Sequence, residues 1–146
     1  WLIGYLLTLL IVKKSRLDRK IIIPMAIVLV ILIDLVLDPA AVSLGFWSYG
    51  EGGEFYGVPH TNYQGWLISG GIAVLVVNSM FDRKKLLARI DQCEFGLDDM
   101  VSFVLLWGLV NTFYGNWIPS AIVGILIMGL WWVDRIDIAS IVNKNN

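Results

Sequence analysis

The segment Ile21–Pro39, IIIPMAIVLVILIDLVLDP, decides the class of this chain. No charge and no hydrogen-bonding side chain precedes Asp34 in it, and Asp38 follows four residues later. Helical residues at i and i+4 lie one above the other, so both carboxyls share one face of an otherwise aliphatic helix. An ionisable side chain inside a membrane segment is costly, and its default reading is a functional site. Proline disfavours helix in the residue before it, so this helix is predicted to span Ile21–Leu37 and to stop at Asp38-Pro39.

Composition extends the same reading to the whole chain. Of its 146 residues, 58% are hydrophobic and 16% charged, and the mean hydropathy is +0.74. A soluble domain has about 45–50% apolar and about 25% charged residues. The chain therefore reads as a single integral membrane domain over residues 1–146, with a polar tail at 138–146. The net charge of −1 gives no sign of nucleic-acid binding. The single cysteine, Cys93, excludes an internal disulfide and reads as inert.

Five apolar segments follow one another: Trp1–Val12, Ile21–Leu37, Gly65–Phe81, Met100–Tyr114 and Ile118–Val133. The first falls short of the roughly 20 residues needed to span and reads as the end of a helix begun upstream. Asp98 and Asp99 precede the fourth segment, where acids complement the positive helix N-terminus. Pro119 sits in the first turn of the fifth, where its missing N–H does no harm. Only Gly115, Asn116 and Trp117 separate the last two, which predicts a helical hairpin. The predicted fold is an all-α, polytopic transmembrane helix bundle.

Charge placement supports that layout. Lys13, Lys14, Arg16, Arg19 and Lys20 fall in the first connection, Arg83, Lys84, Lys85 and Arg89 in the third, and Arg135 and Lys144 in the tail; these are all eleven Lys and Arg. The second connection, Asp38–Gln64, has none. Five alternating spans place every positive charge on one side, which the positive-inside rule makes the cytoplasm. The aromatic- and Gly-rich connection 38–64 then lies on the outer face, with Asp38 at its edge and Asp34 about one helical turn, roughly 5–6 Å, deeper.

That outer connection carries seven aromatics between Phe46 and Trp66: Phe46, Trp47, Tyr49, Phe55, Tyr56, Tyr63 and Trp66. Trp47 and Trp66 also suit an ordinary interfacial belt. Aromatic faces accept a flat conjugated ligand and stabilise a cation above the ring. His60, the single histidine, cannot by itself build a His-cluster metal site, and no metal is expected. It reads either as a polar headgroup-level residue or as a partner to an acid. Asn62 and Gln64 are suited to orienting water. Asn78, Asn111 and Asn116 read as helix–helix contacts, and Glu51 and Glu54 as solvated loop charges. Asp34 has no Lys or Arg on its side of the membrane; an unpaired carboxyl in an apolar setting favours its neutral form, which can donate a proton.

The linked run Asp34-Leu-Val-Leu-Asp-Pro-Ala-Ala-Val-Ser-Leu-Gly-Phe-Trp47, Tyr56-Gly-Val-Pro59 and Asn62-Tyr-Gln-Gly-Trp66 resembles the carotenoid 1,2-hydratase family. The close resemblance covers about Ile31 to Gly71. It implies a multi-pass membrane enzyme, longer than this chain, that adds water across the terminal double bond of an acyclic carotenoid end group without an organic cofactor. The implied partners are the carotenoid, water, membrane lipid and other enzymes of the carotenoid pathway. Such a reaction needs a neutral acid, a shelter for a tertiary cation and a held water. Asp34 is the candidate acid; Asp38, with His60 or Asn62, is the candidate water holder, and the two Asp roles are interchangeable in a coupled pair. Trp47, Tyr49, Tyr56 and Trp66 are the candidate pocket lining.

Two other classes fit parts of the pattern. A membrane prenyltransferase also spaces aspartates in fours, but it grips diphosphate through Mg²⁺ and basic residues, and the outer side here has none. A transporter or carotenoid-binding scaffold would use Asp34 as a relay or simply bury it, yet the third and fifth segments offer few polar residues to continue a path.

Overall fold

A 22-residue helix, α2 (Ile22–Ser43), is the axis around which the chain packs. The computed structural model describes residues 2–14, 18–89 and 94–134. Around α2 lie α1 (Leu2–Lys14), α3 (His60–Met80), α5 (Glu94–Phe113) and α6 (Trp117–Asp134), with the short α4 (Arg83–Arg89) in the basic connection and one 3-10 turn at Arg19–Ile21. The described residues are all-α, with extended pairing confined to an isolated bridge between Phe55 and Val58. Arg16, Cys93, Arg135, Lys144 and the tail 138–146 lie outside the described residues.

Tyr5, Leu9, Ile22, Val30, Val36, Val74, Val104 and Val123 form the core where these helices meet. Small residues bring backbones together. Gly70 and Gly71 are buried where α3 meets α2, with Ile27 over Gly71. At Gly108 an added Cβ would stand 2.6 Å from Val123 Cγ1, so α5 and α6 touch almost backbone to side chain. Asparagines join helices, as expected: Tyr5 donates to Asn78 Oδ1 at 2.9 Å between α1 and α3. Among the described residues α2 is the one helix long and apolar enough to cross a membrane; the apolar runs Val101–Phe113 and Trp117–Gly129 are shorter.

Three boundaries differ from the sequence expectation, and two reshape the site. α2 does not stop at Asp38-Pro39 but runs through both to Ser43. A proline inside a helix removes one ladder hydrogen bond and typically costs about 3 kcal/mol. The carbonyl left without its ladder partner is that of Leu35, and side chains bond the carbonyls one residue and one turn further on. Asn111 donates to the Val36 carbonyl at 2.8 Å, and the Ser43 hydroxyl donates to the Pro39 carbonyl at 2.8 Å. The true stop is Gly45, at φ +72°. Its N–H bonds the Val42 carbonyl at 3.0 Å and the Phe46 N–H bonds that of Ala41 at 2.9 Å, a Schellman C-cap. Gly115, at φ +75°, ends α5 in the same way.

α3 in turn begins at His60, five residues earlier than the apolar run suggests. His60, Asn62, Tyr63 and Gln64 therefore belong to a helix, and the connection between α2 and α3 shrinks to residues 44–59. The third difference is α5, which starts at Glu94, so Asp98 and Asp99 lie in its second turn and do not precede it.

Candidate active site

The two carboxylates of α2 are both inside the protein. Asp34 is 5% exposed and Asp38 is 3% exposed. The helix that continues past Pro39 carries Asp38 into the bundle, and the first turn of α3 lies against it. There Asn62 donates its side-chain amide to Asp38 Oδ2. Asp34 Oδ2 and the Tyr63 hydroxyl are buried side-chain atoms without a hydrogen-bond partner among the described residues. Tyr49 and Tyr63 lie within electrostatic range of both carboxylates. Burial, reinforced by Asp38 and Asp34, pushes the Tyr49 hydroxyl above the usual phenol range, with Trp47 pulling the other way.

A tight hairpin covers this group. Phe55 and Val58 pair through both backbone hydrogen bonds, 3.2 and 3.0 Å, and Tyr56 and Gly57 between them have φ +51° and +85°. Two successive positive φ values mark the primed two-residue turn. Gly53 lies so close to the Val58–Pro59 backbone that a Cβ has no room. The Phe55 ring stands edge-on to Tyr56 at 5.0 Å and to Tyr63 at 5.9 Å, making an aromatic cluster that joins the hairpin to the first turn of α3. The Tyr56 hydroxyl accepts the Ile118 N–H at 3.2 Å, tying the hairpin to the start of α6.

The expected site residues thus separate into groups. Asp34, Asp38, Asn62 and Tyr49 converge. Tyr56 belongs to the hairpin, but its hydroxyl is committed to α6. Trp47 is 40% exposed on the 44–59 connection, and Trp66 is half-buried one turn beyond Asn62 on α3. His60 is exposed at the first position of α3, where its backbone N–H makes a long 3.4 Å bond to Glu54 Oε2. No described hydrogen bond joins His60 to either aspartate. That backbone bond, after one from Glu54's own N–H, holds the Glu54 carboxyl below the usual range. Sequence reasoning assigned no role to Tyr63 or Phe55; both were legible as members of the aromatic run, but their orientation depends on where α3 begins.

A second feature lies between α1, α2, α5 and α6. An apolar cavity of about 210 Å³ is lined by residues including Leu7, Ile11, Leu29, Ile33 and Val104. Ile33 is the neighbour of Asp34 in sequence. The cavity wall is hydrocarbon and offers room without chemistry.

The profile of a protein family described as "Carotenoid biosynthesis protein" matches residues 1–130. The chain belongs to that family. It is also similar to bisanhydrobacterioruberin hydratase of Haloarcula japonica, with 49% identity over 134 residues. The match takes in 92% of this chain and 45% of the relative, so the chain spans about half the length of the curated relative it matches. Asp34, Asp38, Asn62, Tyr63 and the hairpin all lie within the family match. No solved structure matches the chain.

Proposed function

We propose that this protein is a hydratase of carotenoid biosynthesis that adds water to the terminal double bond of an acyclic carotenoid end group. One observation carries the reading: a buried aspartate pair one helical turn apart, one member amide-bonded by Asn62 and the other with an oxygen that has no partner among the described residues, lies where the first turn of α3 brings in an aromatic cluster. The likeness to a curated hydratase supports it.

The chemistry follows from that asymmetry. Asp34, as the neutral acid, gives its proton to the less substituted carbon of the terminal alkene. The π electrons form the new C–H bond and leave a tertiary carbocation. The rings of Phe55, Tyr63 and Tyr49 shelter the cation, since aromatic faces attract positive charge. Water attacks the cation and loses a proton to Asp38, whose carboxylate Asn62 orients. The product is a tertiary alcohol. One proton then passes from Asp38 back to Asp34 to reset the pair. The apolar cavity beside Ile33 is suited to part of the isoprenoid chain.

We further propose that the protein crosses the membrane several times, with the basic connections 13–20 and 83–89 and the C-terminus cytoplasmic and the 44–59 connection outside. Supporting this, large apolar side chains stand exposed along α3, α5 and α6, among them Ile68, Ile72, Leu106, Leu109 and Ile125. Such faces suit lipid.

Expression of the full-length protein in a carotenoid-producing host, followed by pigment analysis, tests the function. A pigment that gains the mass of one water supports hydration, and unchanged pigment opposes it. Asp34→Asn is expected to abolish the gain while the protein still accumulates folded in the membrane. Full activity of that variant would remove Asp34 as the proton donor.

A further inference from the structure

Two buried polar atoms in this molecule have no protein partner among the described residues, and both belong to one site. They are Asp34 Oδ2 and the Tyr63 hydroxyl. An unpaired buried polar group costs about 1–3 kcal/mol, and each such group in a folded protein calls for an explanation. The reaction proposed above accounts for Asp34 Oδ2, because a proton aimed at a π bond has no lone pair to meet. It does not account for Tyr63. Tyr63 follows Asn62, the residue that binds Asp38, on the first turn of α3. Its ring is fixed edge-on against Phe55 at 5.9 Å, and its hydroxyl lies in the field of both aspartates. The tyrosine is thus packed by its ring, and its hydroxyl is buried within the field of the acids with no hydrogen-bond partner among the described residues.

We propose that Tyr63 is a catalytic residue that holds the attacking water, donating its O–H to the water oxygen while the Asp38 carboxylate accepts one of that water's hydrogens. This assignment rests on the hydratase reading. Each partner matches the electron flow. The Tyr63 bond occupies one lone pair of the water and aims the other at the tertiary cation. The C–O bond forms from that second pair, the water's proton goes to Asp38, and Tyr63 keeps its own proton. A buried water site needs a polar setting with two or more partners, which Tyr63 and Asp38 supply. Without Tyr63 the cation still forms, but its capture by water is poorly directed. It then returns to an alkene by losing a proton.

That partition gives the test. The full-length protein in liposomes is incubated in D₂O with an acyclic carotenoid extracted from the producing host. Mass spectrometry follows both hydrated product and deuterium entering the unhydrated end group. Tyr63→Phe keeps the ring against Phe55 and removes only the hydroxyl. Its hydration rate is expected to fall by about tenfold or more, while deuterium enters the unhydrated end group at least as fast as in the wild type. If Tyr63→Phe does not fold, replacing Tyr63 by difluorotyrosine, which alters the hydroxyl and keeps the shape, is expected to change the same hydration-to-exchange ratio. Wild-type hydration in the variant, or an equal loss of hydration and exchange, would overturn the assignment and leave the hydratase reading intact. A wild-type protein that hydrates no acyclic carotenoid would overturn both.

Discussion

Asn111 of α5 donates its side-chain amide to the backbone carbonyl of Val36 in α2 at 2.8 Å, in the turn that precedes Pro39. The same amide reaches the Trp107 carbonyl at 2.9 Å, and Asn111 Oδ1 accepts from Asn116, which also donates to Ser43. One buried network therefore bolts the α5–α6 turn to the part of α2 where the proline interrupts the ladder. That is the part that carries Asp38. Asn111→Ala leaves the network without its centre and is expected to cost about 1–3 kcal/mol. Thermal unfolding in detergent checks it; an unchanged Tm would mean that α2 holds its course past Pro39 unaided.

Asn62 of α3 donates its side-chain amide to Asp38 Oδ2. Asn62→Asp replaces a donor by a second carboxylate facing Asp38, and like charges at that distance disfavour ionisation of both. Hydration is expected to drop by about a hundredfold with the protein still folded. Activity within about threefold of wild type would show that Asp38 needs no orienting amide.

The α5–α6 contact makes a prediction about stability alone. Gly108→Ala puts a methyl group 2.6 Å from Val123 Cγ1, and valine, branched at Cβ, has little freedom to turn aside. The expected cost is about 1–3 kcal/mol. Val123→Ala in the same molecule removes the clash, so the double variant is expected to melt above the sum of the two single losses. Strict additivity would show that the helices separate instead.

Gly57 stands at φ +85° with the space for its missing Cβ taken by Val42 Cγ1 at 2.9 Å. Gly57→Ala therefore meets both backbone strain and a clash, and the hairpin over the aspartates is expected to open. Protease cleavage within residues 50–59 should rise while the midpoint of global unfolding shifts less. Unchanged cleavage would mean that the hairpin tolerates a side chain there.

Much of this is legible in the residue pattern. The greasy run ending in Asp34 and Asp38, the i,i+4 spacing and the short turn after Phe113 follow from residue type and helical period, which are local. Asn78, Asn111 and Asn116 read correctly as interhelical contacts because an amide has few other partners in an apolar helix. The end of α2 did not read correctly. Proline is a strong local stop signal, but Gly45 six residues later and a network from another helix outweighed it. The start of α3 was missed for a similar reason, since polar His60, Asn62 and Gln64 masked a helix that tertiary packing extends.

The sequence alone settled that this chain is helical, apolar and armed with two carboxylates on one face, because composition and periodicity act residue by residue. Only the tertiary structure decided which groups meet those carboxylates. Extending α2 through Pro39 and starting α3 at His60 brings Asn62 onto Asp38, buries the hydroxyl of Tyr63 in the same turn, and leaves His60 at the surface. Side-chain direction on a helix depends on register, and register at these two ends was set by contacts between helices distant in the chain.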